Sequence, residues 1–519
     1  MKKLIVPIVL FLLPFAYAQE LEYLTWGGDD VDTGIAYLPS DGYSFLIGST
    51  RSFEDTRGTF IVKINDEGNP EFQKLIYSSH PIFIKDALLF GDTIYIVGQI
   101  GSSNFQEADA FIAALDTNGK LKYFKTFGRS SNDGAEAIDI TNDKIYVVGY
   151  TYPTGSVQRA FLAEISPNGS IDWIVEFGEE GSKATAVKAT SSAVYVGGDY
   201  EDGVFVCAFD LRGKLEWARA YPLKSLKNLE FRDALYAVGT TYEDRGFGNA
   251  FILKLSPDGS AIWKKHFGIG YGDTFVSLMF NNSEMILAGH FGNFTAGNRD
   301  GLIAKFNSSG ELLWFGIIQG GGEDIVAKAV MKDGLIYGAG YTDDFSKTFI
   351  VPKISEVTWK SLYSFLDVKE GKYSAEPKKI ILETSEYKVS VKNINGILNQ
   401  PKNGDAWFFK FGRKEEAESE TPTSPTPTET TSTSSFSPTQ TKTTTTIQTS
   451  SPSSTTTTQT WKHSTTTSET SKTSSTQPQS STASTESTTG GGICGPGFVL
   501  LIALIPPAKK HLLKSRKDF

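Results

Sequence analysis

The chain has only two cysteines in 519 residues, Cys207 and Cys494. A disulfide framework is therefore excluded, and stability must come from packing. Histidine is scarce as well. Between residues 19 and 413 there are His80, His266 and His290 alone, and their spacing matches no metal-ligand pattern. There is no excess of basic charge: the formal net charge is −9, which argues against nucleic acid as a partner. No Gly-x-Ser-x-Gly, phosphate-binding loop or paired zinc motif occurs, so no catalytic or metal residue is assigned. No apolar run reaches the roughly 20 residues that span a bilayer as a helix.

What is present divides the chain into four. Residues 1–18 combine Lys2-Lys3, an apolar run from Leu4 to Phe15, and Ala16-Tyr17-Ala18, the pattern of a signal peptide cleaved after Ala18. Residues 19–413 are rich in Gly, Phe, Tyr, Val and Ile, which suits strands and turns. Residues 414–489 are almost entirely Thr, Ser, Pro and Gln. They cannot bury enough apolar surface to offset their ordering entropy and read as a disordered, O-glycosylated stalk. Residues 490–519 hold Ile493-Cys494-Gly495-Pro496, a short apolar run from Phe498 to Pro507 that reads as a hydrophobic helix, and basic residues from Lys509. A basic end fits retention on the cytoplasmic side of a membrane.

The second division is built from a repeated pair of strands. Asn249-Ala250-Phe251-Ile252-Leu253-Lys254, the turn Ser256-Pro257-Asp258-Gly259 and a strand through Trp263 to Phe267-Gly268 form one copy. Pro, Asp and Gly supply the φ values that such a turn needs. The first strand recurs around Phe60, Phe111, Phe161, Phe205, Leu302, Phe349 and Trp407, at spacings of about 44 to 58 residues. Most copies follow a strand ending in Gly, as in Ile145-Tyr146-Val147-Val148-Gly149. Four short strands per unit predict an all-β, closed β-propeller of eight four-stranded blades, with seven as the alternative. The copy at Asp405–Phe411 lacks its following aromatic strand, whereas Leu21–Gly28 is such a strand without a predecessor. The N-terminal strand is therefore expected to complete the last blade and close the ring, leaving no exposed edge.

The unit running from Phe267-Gly268 through Asp300-Gly301-Leu302-Ile303-Ala304-Lys305 to Trp314 resembles the cell-surface propeller repeats of bacteria and archaea. The Thr-rich tract, Cys-Gly-Pro, short apolar run and basic end resemble the C-terminal sorting tail of surface proteins from hyperthermophilic archaea, the CGP-CTERM type. That resemblance implies export, anchoring at the outer face of the cell membrane, and processing or lipid attachment at Cys494. Turns such as Asp116-Thr117-Asn118-Gly119 look like the blade motif of quinoprotein dehydrogenases, although these lack the vicinal cysteines of the methanol-oxidising members.

The blade-to-blade connections carry Gly with an acid. They supply the ligand-face candidates Asp30, Asp133, Asp273 and Asp324, which are expected to ring one mouth of the channel. The competing role for them is the capping of turn backbone. Asn168, Asn281, Asn293 and Asn307 begin N-glycosylation sequons at expected turns. Tryptophans at one position per blade are expected to pack between blades, and Cys207 to lie in the core. The expected function is non-catalytic binding or scaffolding at the cell surface, towards a cell-envelope or extracellular partner. The alternatives are a carbohydrate-active or quinone-dependent enzyme, or a structural envelope protein. No cofactor is assigned.

Overall fold

The computed structural model describes residues 21–412 apart from 102–106, 130, 153–156, 242–247, 270, 293–297, 344–347, 351–370, 382–383 and 399–403. The expected signal peptide, stalk and anchor with Cys494, and Asn293, lie outside the described residues. Every described element is a strand, and the strands form seven sheets.

Six blades take four consecutive antiparallel strands each. These are β2–β5 (Asp32–Pro39, Tyr43–Thr50, Gly58–Asn65, Pro70–Ser78) and β6–β9 (Ile82–Phe90, Thr93–Gly101, Ala108–Asp116, Leu121–Phe127). Then come β10–β13 (Gly134–Thr141, Lys144–Thr151, Arg159–Ile165, Ile171–Phe177) and β14–β17 (Lys183–Ala189, Val194–Tyr200, Gly203–Phe209, Leu215–Tyr221). Blades five and six are β18–β21 (Ser225–Phe231, Leu235–Thr240, Ala250–Leu255, Ala261–Phe267) and β22–β25 (Tyr271–Asn281, Glu284–Gly292, Arg299–Phe306, Leu312–Gln319). Blade seven joins β26 (Asp324–Lys332) and β27 (Leu335–Thr342) to β33 (Asp405–Phe411), and β1 (Leu21–Gly27) finishes it. The closing register runs from Leu21↔Phe411 to Trp26↔Ala406, as the incomplete end copies require.

The core lies between blades rather than within one sheet. Seven apolar clusters are each shared by two neighbouring blades. The cluster of blades three and four packs Val148, Leu162 and Phe177 against Val196, Phe205 and the free, fully buried Cys207. One cluster joins Trp26, Ala339 and Phe408 of blade seven to Leu46 and Phe60 of blade one. The motif phenylalanines Phe60, Phe111, Phe161, Phe205 and Phe251 are all buried. The outer-strand aromatics bridge blades too. A Cβ on Gly213, in the turn of blade four, would lie 2.7 Å from the Trp173 ring of blade three, and one on Gly259 2.6 Å from Trp217. That leaves room only for glycine under the indole.

The ring has seven blades, not the eight that the motif copies predict. The copy around Phe349 is not a blade strand: β28 (Thr348–Ile350) pairs with the outer strand β25 of blade six. Tyr387–Val391, which precedes the last motif copy and lacks the Gly of the other second strands, overlaps β31 (Val389–Asn393), and this strand pairs with the outer strand β5 of blade one. The strands β29 (Gly371–Lys372) and β30 (Lys378–Lys379) pair with β17 of blade four and β13 of blade three. Last, β32 (Ile397–Leu398) pairs with β1 of blade seven. Thr126 of blade two donates its hydroxyl to Ser385 O. The described parts of 348–398 thus lie along the rim as a belt, in reverse blade order, before the chain enters blade seven. Its apolar anchor is Tyr373, stacked on Phe205 at 4.6 Å and bonded to Ser182 Oγ at 2.6 Å.

Candidate functional site: the channel and its mouth

The first strand of every blade lines the central channel, a cavity of about 820 Å³. In each of these strands the pairing register slips by one residue, at Ile35, Lys85, Glu136, Thr185, Lys227, Val276 and Ala327. A bulge of this kind leaves one residue outside the ladder and re-aims its side chain. All seven line the channel. The bulge also explains the Gly near the end of each second strand. A Cβ on Gly149 would overlap the carbonyl oxygen of Gly134 on the neighbouring first strand, and Gly48, Gly98, Gly198, Gly239, Gly289 and Gly340 stand in the same relation.

The polar groups of the channel mostly serve the ring itself. Side chains of one first strand accept backbone N–H groups of the next: Asp86 Oδ2 from Ile138 N (3.2 Å), Asp139 Oδ2 from Ala189 N (2.8 Å), Asn228 Oδ1 from Leu278 N (3.1 Å) and Ser277 Oγ from Ala329 N (2.8 Å). Ion pairs run alongside. Lys183 meets Glu136 at 2.8 Å, and Lys188 meets Glu230 at 3.0 Å and Asp139 at 3.7 Å. Lys328 of blade seven pairs with Asp86 of blade two, past the apolar Ile35 of blade one. Burial opposes the charge of Lys188, but Asp139 and Glu230 outweigh it and hold its pKa above the ordinary value. Burial likewise raises the Glu230 carboxyl, against the pull of Lys188.

The Gly-Asp connections do share one face, but three of the four candidates point inward. Asp133, Asp273 and Asp324 are essentially inaccessible. Asp133 Oδ2 accepts Arg129 N at 2.6 Å and Asp273 Oδ2 accepts Ile269 N at 3.0 Å, so each caps its own loop. Asp324 Oδ1 takes the Thr342 hydroxyl at 2.8 Å. In blade one the equivalent residue is Asp32, which accepts Gly28 N and the Ser52 hydroxyl, both at 2.9 Å. Asp30 is exposed, and its Oδ1 accepts Val31 N at 2.6 Å. Burial lifts the carboxyl pKa values of both Asp32 and Asp133 to about 6.

Among the sequon asparagines, Asn168 is exposed in a turn and accepts Ser170 N at 2.9 Å. Asn307 is tied into its turn by Glu311 N at 2.8 Å and the Glu311 carboxylate at 2.7 Å, and Asn281 ends β22. Among the described residues no group of three or more His, Cys, Asp or Glu side chains is placed to hold a metal ion.

Sequence reasoning missed the channel-lining bulge residues. Nothing in a strand pattern marks where the register slips, and Lys85, Glu136 and Lys227 read as ordinary outward-facing polar positions.

A family model described as "Domain of unknown function (DUF5122) beta-propeller" matches residues 141–172. No curated protein matches the chain. Similar solved structures include a subtype N10 neuraminidase-like protein of A/little yellow-shouldered bat/Guatemala/060/2010, 9% identical over 57% of this chain and 98% of that one, TM-score 0.33. The GH43_1 enzyme from Xanthomonas citri complexed with xylose is 13% identical over 45% of this chain and 93% of that one, TM-score 0.28. The acylaminoacyl peptidase of Pyrococcus horikoshii is 11% identical over 62% of this chain and 52% of that one, TM-score 0.36. Likenesses at this level carry no argument about activity.

Proposed function

We propose that this propeller is a non-catalytic binding or scaffolding module, exported and held at the outer face of the cell membrane by its Thr-rich stalk and Cys-Gly-Pro segment. The observation that carries the reading is the engagement of the channel acids. Asp86, Glu136, Asp139 and Glu230 each meet a lysine, and two of them also cap a neighbouring strand. A glycosidase requires one carboxyl free to donate a proton and a second set roughly 5–10 Å away across a sugar-sized gap. Acids committed to holding blades together are poorly suited to that task. The partner in this reading is an extracellular or cell-envelope molecule, and the chain contacts the membrane only through its C-terminal segment.

The test is to screen the purified full chain against glycan and peptide arrays, with turnover of chromogenic glycosides measured in parallel. Saturable binding without turnover is the expected result. Turnover abolished by Glu136→Gln or Glu230→Gln would transfer the protein to the enzyme class.

A further inference from the structure

At one rim of the channel a side pocket of about 500 Å³ opens between blades five, six and seven. Its polar wall consists of Lys224, Ser225, Lys227, Thr240, Thr274 and His290, and its apolar wall of Val276, Ile325, Val326 and Ala327. Among the described residues no Asp or Glu lines it. We propose that this pocket binds a compact anionic group, the carboxylate, sulfate ester or phosphate of a larger polar molecule, with Lys227 and Lys224 as its counter-charges.

Lys227 is the focus. It is the bulge residue of β18, and it lines both the channel and the pocket. The other channel lysines, Lys85, Lys183, Lys188 and Lys328, each have a carboxylate within 4.0 Å. Lys227 is exposed and, among the described residues, has no such partner. Asp199 of blade four accepts Leu226 N at 2.7 Å and the Ser225 hydroxyl at 2.9 Å, neutral donors that leave its charge in place, and it attracts Lys227 only from beyond ion-pair distance. Lys224 is exposed on the connection that leads into β18.

The remaining polar groups add no negative charge. His290 Nδ1 lies 3.3 Å from Val326 O. A carbonyl can only accept, so Nδ1 carries the proton and Nε2 is left with a lone pair. The ring is neutral at pH 7, its pKa lowered to about 4 by burial first and then by Arg299 and Lys227. Arg299 is itself paired with Glu323 at 2.8 Å. The Thr240 and Thr274 hydroxyls bond each other at 2.8 Å. An apolar back wall reduces the local dielectric and strengthens a lysine–anion contact relative to one on open surface. Among the described residues the charged side chains lining the pocket are therefore lysines alone, and Asp199, outside that lining, offsets Lys227 only at a distance.

This inference deepens the binding reading above and rests on it for the larger molecule, but the subsite itself is tested alone. Inorganic sulfate, inorganic phosphate, glucuronate and glucose are titrated into the full chain at constant ionic strength by isothermal calorimetry. The expected result is saturable binding of at least one anion and none of glucose, with affinity reduced tenfold or more in Lys227→Met and in Lys224→Met and largely retained in Lys227→Arg. Far-UV circular dichroism and thermal unfolding verify that each variant is folded, and Lys224→Met serves alone if Lys227→Met is not. Preference for glucuronate assigns the source as a carboxylate, and preference for sulfate or phosphate assigns a tetrahedral ester. Absence of anion binding, or binding equal in wild type and both Met variants, overturns the proposal. A larger ligand captured on the arrays but indifferent to Lys227 would leave the binding reading standing and remove this subsite.

Discussion

Asp32 and Asp133 show what a single buried carboxyl does to this ring. Each caps its own connection, and burial holds each pKa near 6 against an ordinary 3.8. The folded state therefore binds these protons more tightly than the unfolded chain does. Their contribution to stability is fully present below about pH 4 and is lost as the pH rises through 6. A shift of this size corresponds to at most about 3 kcal/mol per site. In Asp32→Asn and Asp133→Asn the unfolding free energy should fall less than in wild type between pH 4 and pH 7, as measured by chemical denaturation at each pH. His290 acts in the opposite direction, losing stability as the pH falls from about 6.5 to about 4, and cancels in the comparison. Identical pH profiles for wild type and both variants would show that these carboxyls are not perturbed. The sequence pointed to Asp133, Asp273 and Asp324 but not to the direction of their side chains. Turn chemistry places an acid in a Gly-rich connection whether it caps that connection or faces solvent. In blade one the sequence pointed to Asp30, whereas the pairing register places Asp32 at the start of the strand.

At the scale of elements, the blade hairpins were legible and the belt was not. A hairpin such as Ala108–Phe127 has a buried, almost unbroken apolar first strand and an Asp116–Gly119 turn, in which Gly119 has φ 70° and Asp116 Oδ1 accepts Asn118 N and Lys120 N, both at 2.9 Å. These signals are local. The belt strands are two to five residues long and are held by whichever rim they cross. One crossing is dominated by Gln73 of β5. Its Oε1 accepts Trp26 Nε1 at 2.7 Å and Gly396 N at 3.0 Å, and its Nε2 donates to Gly396 O at 3.2 Å. Gln73→Ala leaves the buried Trp26 indole N–H without this acceptor, a loss of about 1–3 kcal/mol. The expected outcome is faster hydrogen exchange and proteolysis confined to about residues 394–398, with the blades unchanged. Unaltered exchange there would mean that backbone pairing alone fixes the belt. The count of blades was also within reach. The bulge-facing glycine occurs seven times, and Tyr387–Val391, the stretch ahead of the last motif copy, has none.

For the whole molecule, closure depends on residues far apart in sequence: Lys410 pairs with Glu22 across a separation of 388 residues. Because β33 supplies partners to both β27 and β1, its loss exposes two strand edges together. A chain ending at residue 404 should therefore lose its single cooperative unfolding transition and self-associate, as followed by denaturation and sedimentation against the full chain. A monomeric truncated chain with an unchanged midpoint would refute the dependence on closure. The propeller class was readable because the repeat is periodic. The ligand was not, since the channel surface is made by bulges and ion pairs between blades that no single repeat contains.

The position of β33 also determines how the ring would bear a load. The chain leaves it through Gly412 into the Thr-, Ser- and Pro-rich region. A pull on that region acts along the length of a strand flanked on both sides. Its ladders to β27 and β1 then resist together in shear, whereas an outer strand would peel away one hydrogen bond at a time. If the chain is held by that region, as proposed, the ring would take up tension without its outermost pairs failing first.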